Sequence, residues 1–146
     1  MSADPRAAGL RAAIVAEAQS WIGTPFHHEA RVKGAGVDCA MLLCEVYERA
    51  GIVGRIDIPH YPPDWHLHRD AERFLARLLE HAREIGGLPQ PGDVALFRYG
   101  RCFSHGAIVV AWPRVVHANF LARAVTRGDA MLEPLNGRPV RFFTVF

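Results

Sequence analysis

The feature that most constrains the fold is a helical apolar pattern that begins directly after Asp38-Cys39. Asp38 is placed to cap this helix, since a carboxylate there accepts a hydrogen bond from a free N–H group of the first turn. Gly51 lies where a helix commonly ends. The apolar residues at helical spacing are Met41, Leu42, Leu43, Val46, Tyr47 and Ala50. The pattern therefore predicts a buried helix with Cys39 in its first turn.

A cysteine in the first turn of a helix is a candidate nucleophile. The free amides and the positive end of the helix dipole stabilise an anion, so the Cys39 thiol is expected to ionise more easily. Cysteine is also among the residues most often buried, and one beside an apolar run commonly serves packing. Cys44 fits that second interpretation, because it points about 140° away from Cys39 around the helix. Catalysis by Cys39 therefore depends on a base elsewhere in the chain.

The composition is that of an ordinary globular protein. The 146 residues predict a single domain over residues 1–146, long enough to bury a core. The 50% hydrophobic and 22% charged residues fit this class. A net charge of +2, from 17 basic and 15 acidic residues, is too balanced to indicate nucleic-acid binding.

The cysteines and the N-terminal segment bear on the compartment. Three cysteines, an odd number in a chain of this size, predict no disulfide framework, so synthesis in a reducing compartment is expected. Arg11 and Glu17 interrupt the N-terminal alanines, so we expect no signal peptide. No run approaches the roughly 18 apolar residues of a membrane span. These features predict synthesis in the cytoplasm.

Helical periodicity precedes strand periodicity along the chain. Residues 5–22 and 69–85 predict amphipathic helices on either side of the Cys39 helix, and residues 26–37 predict a loop. A Pro-Gly-Asp turn then leads into short apolar segments typical of strands. These are residues 94–97, 106–111, 114–120, 124–127 and 140–146. Helices followed by a meandering antiparallel sheet define an α+β fold.

His105 and His117 are the candidates for a base and its orienting partner. Of eight histidines, these two are embedded in apolar strand segments. A nucleophilic cysteine needs a base within hydrogen-bond reach, and a third group orients that base. The imidazoles share a face only if the loop around residues 112–114 is odd in length, or if a bulge lies near Gly106. The sequence leaves this register open, and each can instead be a core histidine with satisfied hydrogen bonds.

Four motifs in order resemble the NlpC-type cysteine peptidases, a papain-like family that cuts peptidoglycan stem peptides. They are GTPF…VDCAMLL, PQPGDVALF, SHGAIVV and RVVHA, and together they cover roughly residues 10–125. The segment HYPPDWHLHRDAERFL resembles an insertion typical of the phage-tail and gene-transfer-agent peptidases of this family. The resemblance implies a papain-like α+β fold with the nucleophile at a helix N-terminus.

The resemblance also implies roles for individual residues. Cys39 corresponds to the nucleophile, His105 to the general base and acid, and His117 to the residue that orients His105. The implied reaction is acyl transfer to water through a thioester, at the bond after γ-D-glutamyl and before diaminopimelate or lysine. It implies neither a cofactor nor a metal. The implied substrate-site residues are Asp38, Phe26 and Ala40.

Two departures from the family pattern concern substrate binding. Phe26 stands where the family commonly has tyrosine, which removes a hydroxyl group. Ala40-Met41 replaces the usual Ser-Gly after the Asp-Cys pair. Specificity is therefore less constrained than the chemistry. The resemblance further implies a virion component that assembles with tail or baseplate hub proteins, without a membrane span, and acts in the target cell wall.

Two alternatives belong to other classes of protein. The departures at Phe26, Ala40 and Met41 are compatible with a catalytically weak structural protein of the tail tip that keeps the fold. A metal site could draw on Cys39 and His117 together with the CxxH pair Cys102 and His105. His66 and His68 form an HxH pair with no evident third ligand, so an ordinary polar surface is favoured there.

Overall fold

The computed structural model describes residues 4–56 and 70–146, without the side chains of residues 70–75. Three α-helices and eight β-strands lie in this part of the chain. The helices are α1 (Pro5–Ser20), α2 (Cys39–Arg49) and α3 (Asp70–His81). The strands are β1 (Arg31–Val32), β2 (Gly36–Val37), β3 (Arg83–Ile85), β4 (Val94–Tyr99), β5 (Cys102–Ala111), β6 (Arg114–Asn119), β7 (Ala124–Asp129) and β8 (Val140–Thr144).

Six of the strands form one antiparallel sheet in the order β3-β8-β4-β5-β6-β7. Strands β4 to β7 form the meander that the sequence predicts, and β8 returns to pair with the far side of β4. Helix α2 packs on β5 and β6 and against α1. The predicted α+β class is confirmed.

Helix α2 has the predicted boundaries. The Asp38 Oδ1 atom accepts a hydrogen bond of 2.9 Å from the Met41 N–H group, so Asp38 is the N-cap. At the other end, Ala50 is the C-cap and Gly51 has a φ of 76°, a conformation that favours glycine. The Tyr47 hydroxyl donates to the Gly92 carbonyl at 2.7 Å, which fixes the helix to the turn before β4. Every residue of α2 up to Tyr47 is buried, including Cys44.

The expected helix over residues 69–85 is wrong at its C-terminal end. Helix α3 ends at His81, and Arg83–Ile85 form β3, which pairs with β8. Ala82 and Ile85 continue the helical spacing of α3, so the period alone could not reveal this change. Pairing with β8 gives the backbone groups of β3 partners in the sheet, which outweighs a weak local preference.

The loop predicted over residues 26–37 also contains regular structure. Its β1 and β2 strands form a hairpin of two residues each, too short to show the alternation by which a strand is recognised. Arg31 in β1 donates hydrogen bonds to the carboxylates of Glu45 and Glu48 at 2.7 Å, which holds the hairpin on α2. The HxH pair, His66 and His68, lies outside the described residues. No helix in the described ranges is both long and apolar enough to cross a membrane.

Candidate active site

Cys39 is the first residue of α2, and its thiol lies against the backbone of β5. The Sγ atom is 3.9 Å from the Ser104 carbonyl oxygen, and the Gly106 N–H group also acts on the sulfur. Ser104 and Gly106 are the two neighbours of His105 along the strand. Cys39 is buried, with 8% of the residue exposed. The fold therefore places the predicted nucleophile at the strand segment that carries the predicted base.

The resting state of this thiol differs from the expectation. Burial raises the pKa of Cys39, and the neighbouring Asp38 carboxylate raises it further. The backbone N–H groups of Ala40, Gly106 and Cys39 itself lower the pKa, as a helix N-terminus should, but they do not outweigh burial. The prediction of an easily ionised thiol is therefore wrong for this closed geometry, and Cys39 rests as a neutral thiol. Activity then requires a base that accepts the proton as sulfur attacks.

The histidines face each other because of a bulge in β5. Ala111 pairs with Arg114, but Val109 pairs with Val115, so Val110 is an extra residue in β5. Side chains alternate between the two faces of a sheet, and Ile108 pairs with Val116. His105 is three residues from Ile108 and His117 is one residue from Val116, both odd numbers, so the two histidines lie together on the opposite face. Without the bulge, Val110 would oppose Val115 and His105 would point to the other side. The prediction left open a bulge near Gly106, and the structure has it at Val110.

The two imidazoles are joined by a hydrogen bond. His105 Nε2 lies 2.8 Å from His117 Nδ1, and the ring planes are 81° apart. His117 is 1% exposed, and burial lowers its pKa to about 4, so it is neutral near pH 7. His117 Nε2 is a buried atom without a hydrogen-bond partner among the described residues. The pair thus has the arrangement of a base with a neutral orienting group.

A second bulge, at Ser104, sets the position of His105. His105 pairs with Phe97 of β4, whereas Phe103 pairs with Arg98, so Ser104 is skipped. Ser104 supplies the carbonyl oxygen that contacts the Cys39 sulfur. The irregular strand therefore gives the thiol a backbone contact directly beside the candidate base in sequence.

Tyr99 lies at the candidate site, although the sequence did not single it out. Its ring centroid lies 4.9 Å from that of His105. The guanidinium carbon of Arg138 lies over the Tyr99 ring, 3.7 Å from the ring centroid. Arg138 is fixed by hydrogen bonds to the Pro134 and Arg98 carbonyls. Burial raises the pKa of Tyr99, so the phenol stays protonated. Tyr99 is two residues beyond Phe97, the strand partner of His105, so a known register would have revealed it.

The three predicted substrate-site residues are placed differently from one another. Asp38 is buried, and its Oδ2 atom accepts a hydrogen bond of 2.8 Å from the Glu29 N–H group. Since Oδ1 accepts from the Met41 N–H group, both carboxylate oxygens are hydrogen-bonded to backbone N–H groups. Ala40 is 1% exposed and faces the core. Phe26 is partly buried and makes an edge-on contact with the exposed Phe120, at 5.5 Å between centroids. Of the three, Phe26 alone lies next to exposed surface.

The alternative of a metal site finds no support in the geometry. Among the side chains that the structure describes, those of residues 4–56 and 76–146, no group of three or more histidine, cysteine, aspartate or glutamate residues could hold a metal ion. His105 and His117 instead use facing ring nitrogens for their mutual hydrogen bond.

Comparison with known proteins defines the class of fold. No protein-family profile and no curated protein sequence matches the chain. Among solved structures, the NlpC/p60 domain of the peptidoglycan hydrolase SagA is similar, with 22% identity, 90% of this chain and 96% of that chain covered, and a TM-score of 0.64. The peptidoglycan hydrolase RipB from Mycobacterium tuberculosis is 16% identical and has a TM-score of 0.65. The match covers 97% of this chain and 68% of the RipB chain.

RipD, also from Mycobacterium tuberculosis, has the same fold without the activity. It is described as a non-catalytic NlpC/p60 domain protein adapted to peptidoglycan binding. It is 14% identical, with a TM-score of 0.61, and the match covers 94% of this chain and 98% of the RipD chain. At such identities the similarity establishes the fold. This chain therefore has the NlpC/p60 fold, as the sequence motifs predict, and its chemistry must be argued from its own site.

Proposed function

We propose that the chain is a cysteine hydrolase that cleaves peptide bonds of peptidoglycan. The observation that carries the proposal is the placement of the Cys39 thiol on the backbone of β5 around His105, with His105 hydrogen-bonded to His117. These are a nucleophile, a base and an orienting group on adjoining elements. The substrate class is supported by the fold, since SagA and RipB are named as peptidoglycan hydrolases.

The proposed mechanism uses the Cys39 thiol and the hydrogen-bonded pair His105 and His117. As Cys39 Sγ attacks the scissile carbonyl carbon, its proton passes to Nδ1 of His105, and His105 Nε2–H donates to Nδ1 of the neutral His117. The tetrahedral intermediate collapses to a thioester, and the departing amine takes the proton from His105. Water then hydrolyses the thioester with His105 as base. In this mechanism the Cys39 N–H group at the helix N-terminus stabilises the oxyanion.

The finer proposal concerns the bond and the place of action. We infer a cut after γ-D-glutamyl and before diaminopimelate or lysine, by an enzyme that is made in the cytoplasm, carried in a phage-like tail and docked on hub proteins. Its support is the resemblance of the motifs and of the segment that contains Trp65. The chain would then open the target cell wall during DNA delivery. Mass spectrometry of purified tail particles tests the location: the chain must be present at a constant ratio to the hub protein.

Digestion of purified peptidoglycan tests the proposed activity. Wild type, Cys39→Ala and the control Cys44→Ala are incubated with meso-diaminopimelate peptidoglycan, and fragments are identified by mass. Cys44 is the second cysteine of α2 and is also buried, so its variant controls for loss of a thiol as such. The proposal predicts new fragments that end at D-glutamate with wild type and Cys44→Ala, and none with Cys39→Ala. Folded wild type that releases no fragments contradicts it.

A second candidate function is binding without cleavage, in a structural protein of the tail tip. The specific observation in its favour is the closed, neutral state of the Cys39 thiol. RipD shows that the fold occurs in a protein named as non-catalytic. This candidate predicts that wild type and Cys39→Ala cosediment equally with peptidoglycan and that neither releases fragments. The two candidates thus differ in the digestion experiment.

A further inference from the structure

Gly128 of β7 lies in close contact with the imidazole of His117. Gly128 pairs with Val115 of β6, and His117 is two residues along from Val115, so both lie on one face of the sheet. A Cβ atom on residue 128 would lie 2.7 Å from His117 Nε2 and 2.8 Å from His117 Cδ2. Real Cβ contacts are longer than this, so any side chain at position 128 displaces the ring.

The His117 ring has nowhere to move without losing its partner. It is buried, and the same Cβ atom would also lie 3.2 Å from Val115 Cγ2. Nε2 faces Gly128, while Nδ1 on the other side of the ring is already at 2.8 Å from His105 Nε2. Displacement of Nε2 by a side chain at position 128 therefore either moves Nδ1 too close to His105 or turns Nδ1 away from it. Either change disrupts the geometry of the hydrogen bond between the two histidines.

Backbone conformation does not account for a glycine at this position. The φ angle of Gly128 lies outside the left-handed range, unlike that of seven other glycines of the described chain. Glycine also weakens a strand interior, where it often marks a close approach by another group. The steric requirement of His117 is thus the feature that distinguishes Gly128 from alanine.

We propose that Gly128 is a positioning residue for the histidine pair, through the space that its missing side chain leaves for His117. The proposal rests on the proposed function, in which His117 orients His105. Gly128 acts through His117 and touches neither the thiol nor, in the mechanism above, the substrate. Its replacement should therefore lower kcat and leave KM unchanged.

A double-mutant cycle tests this directly. We expect Gly128→Ala to lower kcat by about 100-fold, the effect of a misplacement of about 1 Å in a catalytic group. In a His117→Ala background, Gly128→Ala should change kcat by less than about twofold, because the ring it displaces is absent. Gly9→Ala is the matched control, since a Cβ on Gly9 has nothing within 4 Å. Equal losses from Gly128→Ala in both backgrounds would overturn the proposal.

Two further readouts separate this proposal from folding and from the proposed function. If Gly128→Ala does not fold, the proposal predicts that the His117→Ala/Gly128→Ala double variant does, because the clash is removed; failure of both to fold contradicts it. If wild type cleaves no peptidoglycan, the proposed function fails, and the pH profile of Cys39 alkylation still reports on His105. Gly128→Ala should then shift that profile as His117→Ala does, and an unchanged profile contradicts the positioning role.

Discussion

His105 Nε2 and His117 Nδ1 lie 2.8 Å apart because Val110 is an extra residue between two paired segments of β5 and β6. The bulge converts a hairpin that would separate the imidazoles into one that joins them. The arrangement of the proposed base and its proposed orienting group therefore depends on a local irregularity of the strand rather than on either histidine alone.

His117 should be replaceable by a residue that keeps an acceptor where Nδ1 lies. In asparagine, Oδ1 can occupy nearly the same place, so His117→Asn should retain kcat within about 10-fold, whereas His117→Ala should lose about 100-fold. Steady-state hydrolysis of a stem-peptide substrate measures both. Equal activity of the asparagine and alanine variants would show that the hydrogen bond to His105 is not the function of His117.

The buried His117 also predicts how stability depends on pH. The pKa of His117 in the folded chain, about 4, lies below the ordinary histidine value of 6.5, so the unfolded chain binds the proton more readily. This contribution is fully present above pH 6.5 and is lost as pH falls from 6.5 towards 4, by on the order of 3 kcal/mol. Urea unfolding of wild type and His117→Asn at pH 7 and pH 4.5 measures it. The variant should lose less stability on acidification, and parallel losses contradict the account.

Cys39 should be slow to alkylate in the free protein. Burial and the Asp38 carboxylate raise the pKa of its thiol. At pH 7.5 iodoacetamide should therefore modify Cys39 at less than about one tenth of the rate at which it modifies an unperturbed free thiol. Peptide mapping by mass distinguishes Cys39 from Cys44 and Cys102. Rapid modification with an apparent pKa below 7 would instead indicate a thiolate paired with a protonated His105.

Tyr99 should act by confining the ring of His105. Its ring is 4.9 Å from the imidazole and carries Arg138 on its face, so Tyr99→Phe should keep kcat within about threefold. Tyr99→Ala should lower kcat more than about 10-fold by leaving His105 free to turn. A large loss in Tyr99→Phe would show that the hydroxyl itself takes part, and thermal unfolding of both variants controls for stability.

The parts of the fold that the sequence predicts are those set by local patterns. The Asp38 cap and the apolar spacing behind Cys39 define α2, because capping and periodicity act over a few residues. The turn before Val94 and the branched residues of β5 likewise define the meander. Helix α3 could not be bounded correctly, because β3 exists only through its pairing with β8.

The site was predictable in its residue types but not in its geometry. The motifs single out Cys39, His105 and His117, yet the bulge at Val110 that brings the histidines together has no signal in composition or periodicity. Tyr99 was missed because its proximity to His105 follows from the register of β4 against β5, which the sequence does not reveal either. The sign of the Cys39 pKa shift depends on burial in the folded chain, which a helix N-terminus alone does not reveal.

The central claim is that Cys39 forms a thioester with a peptidoglycan stem peptide. Intact-protein mass spectrometry after acid quenching in the first turnovers measures this directly. The account predicts an added mass equal to the acyl part of the substrate, located on the Cys39 peptide and absent from Cys39→Ala. Cleavage by Cys39→Ala at the wild-type rate, with no adduct on wild type, would contradict it.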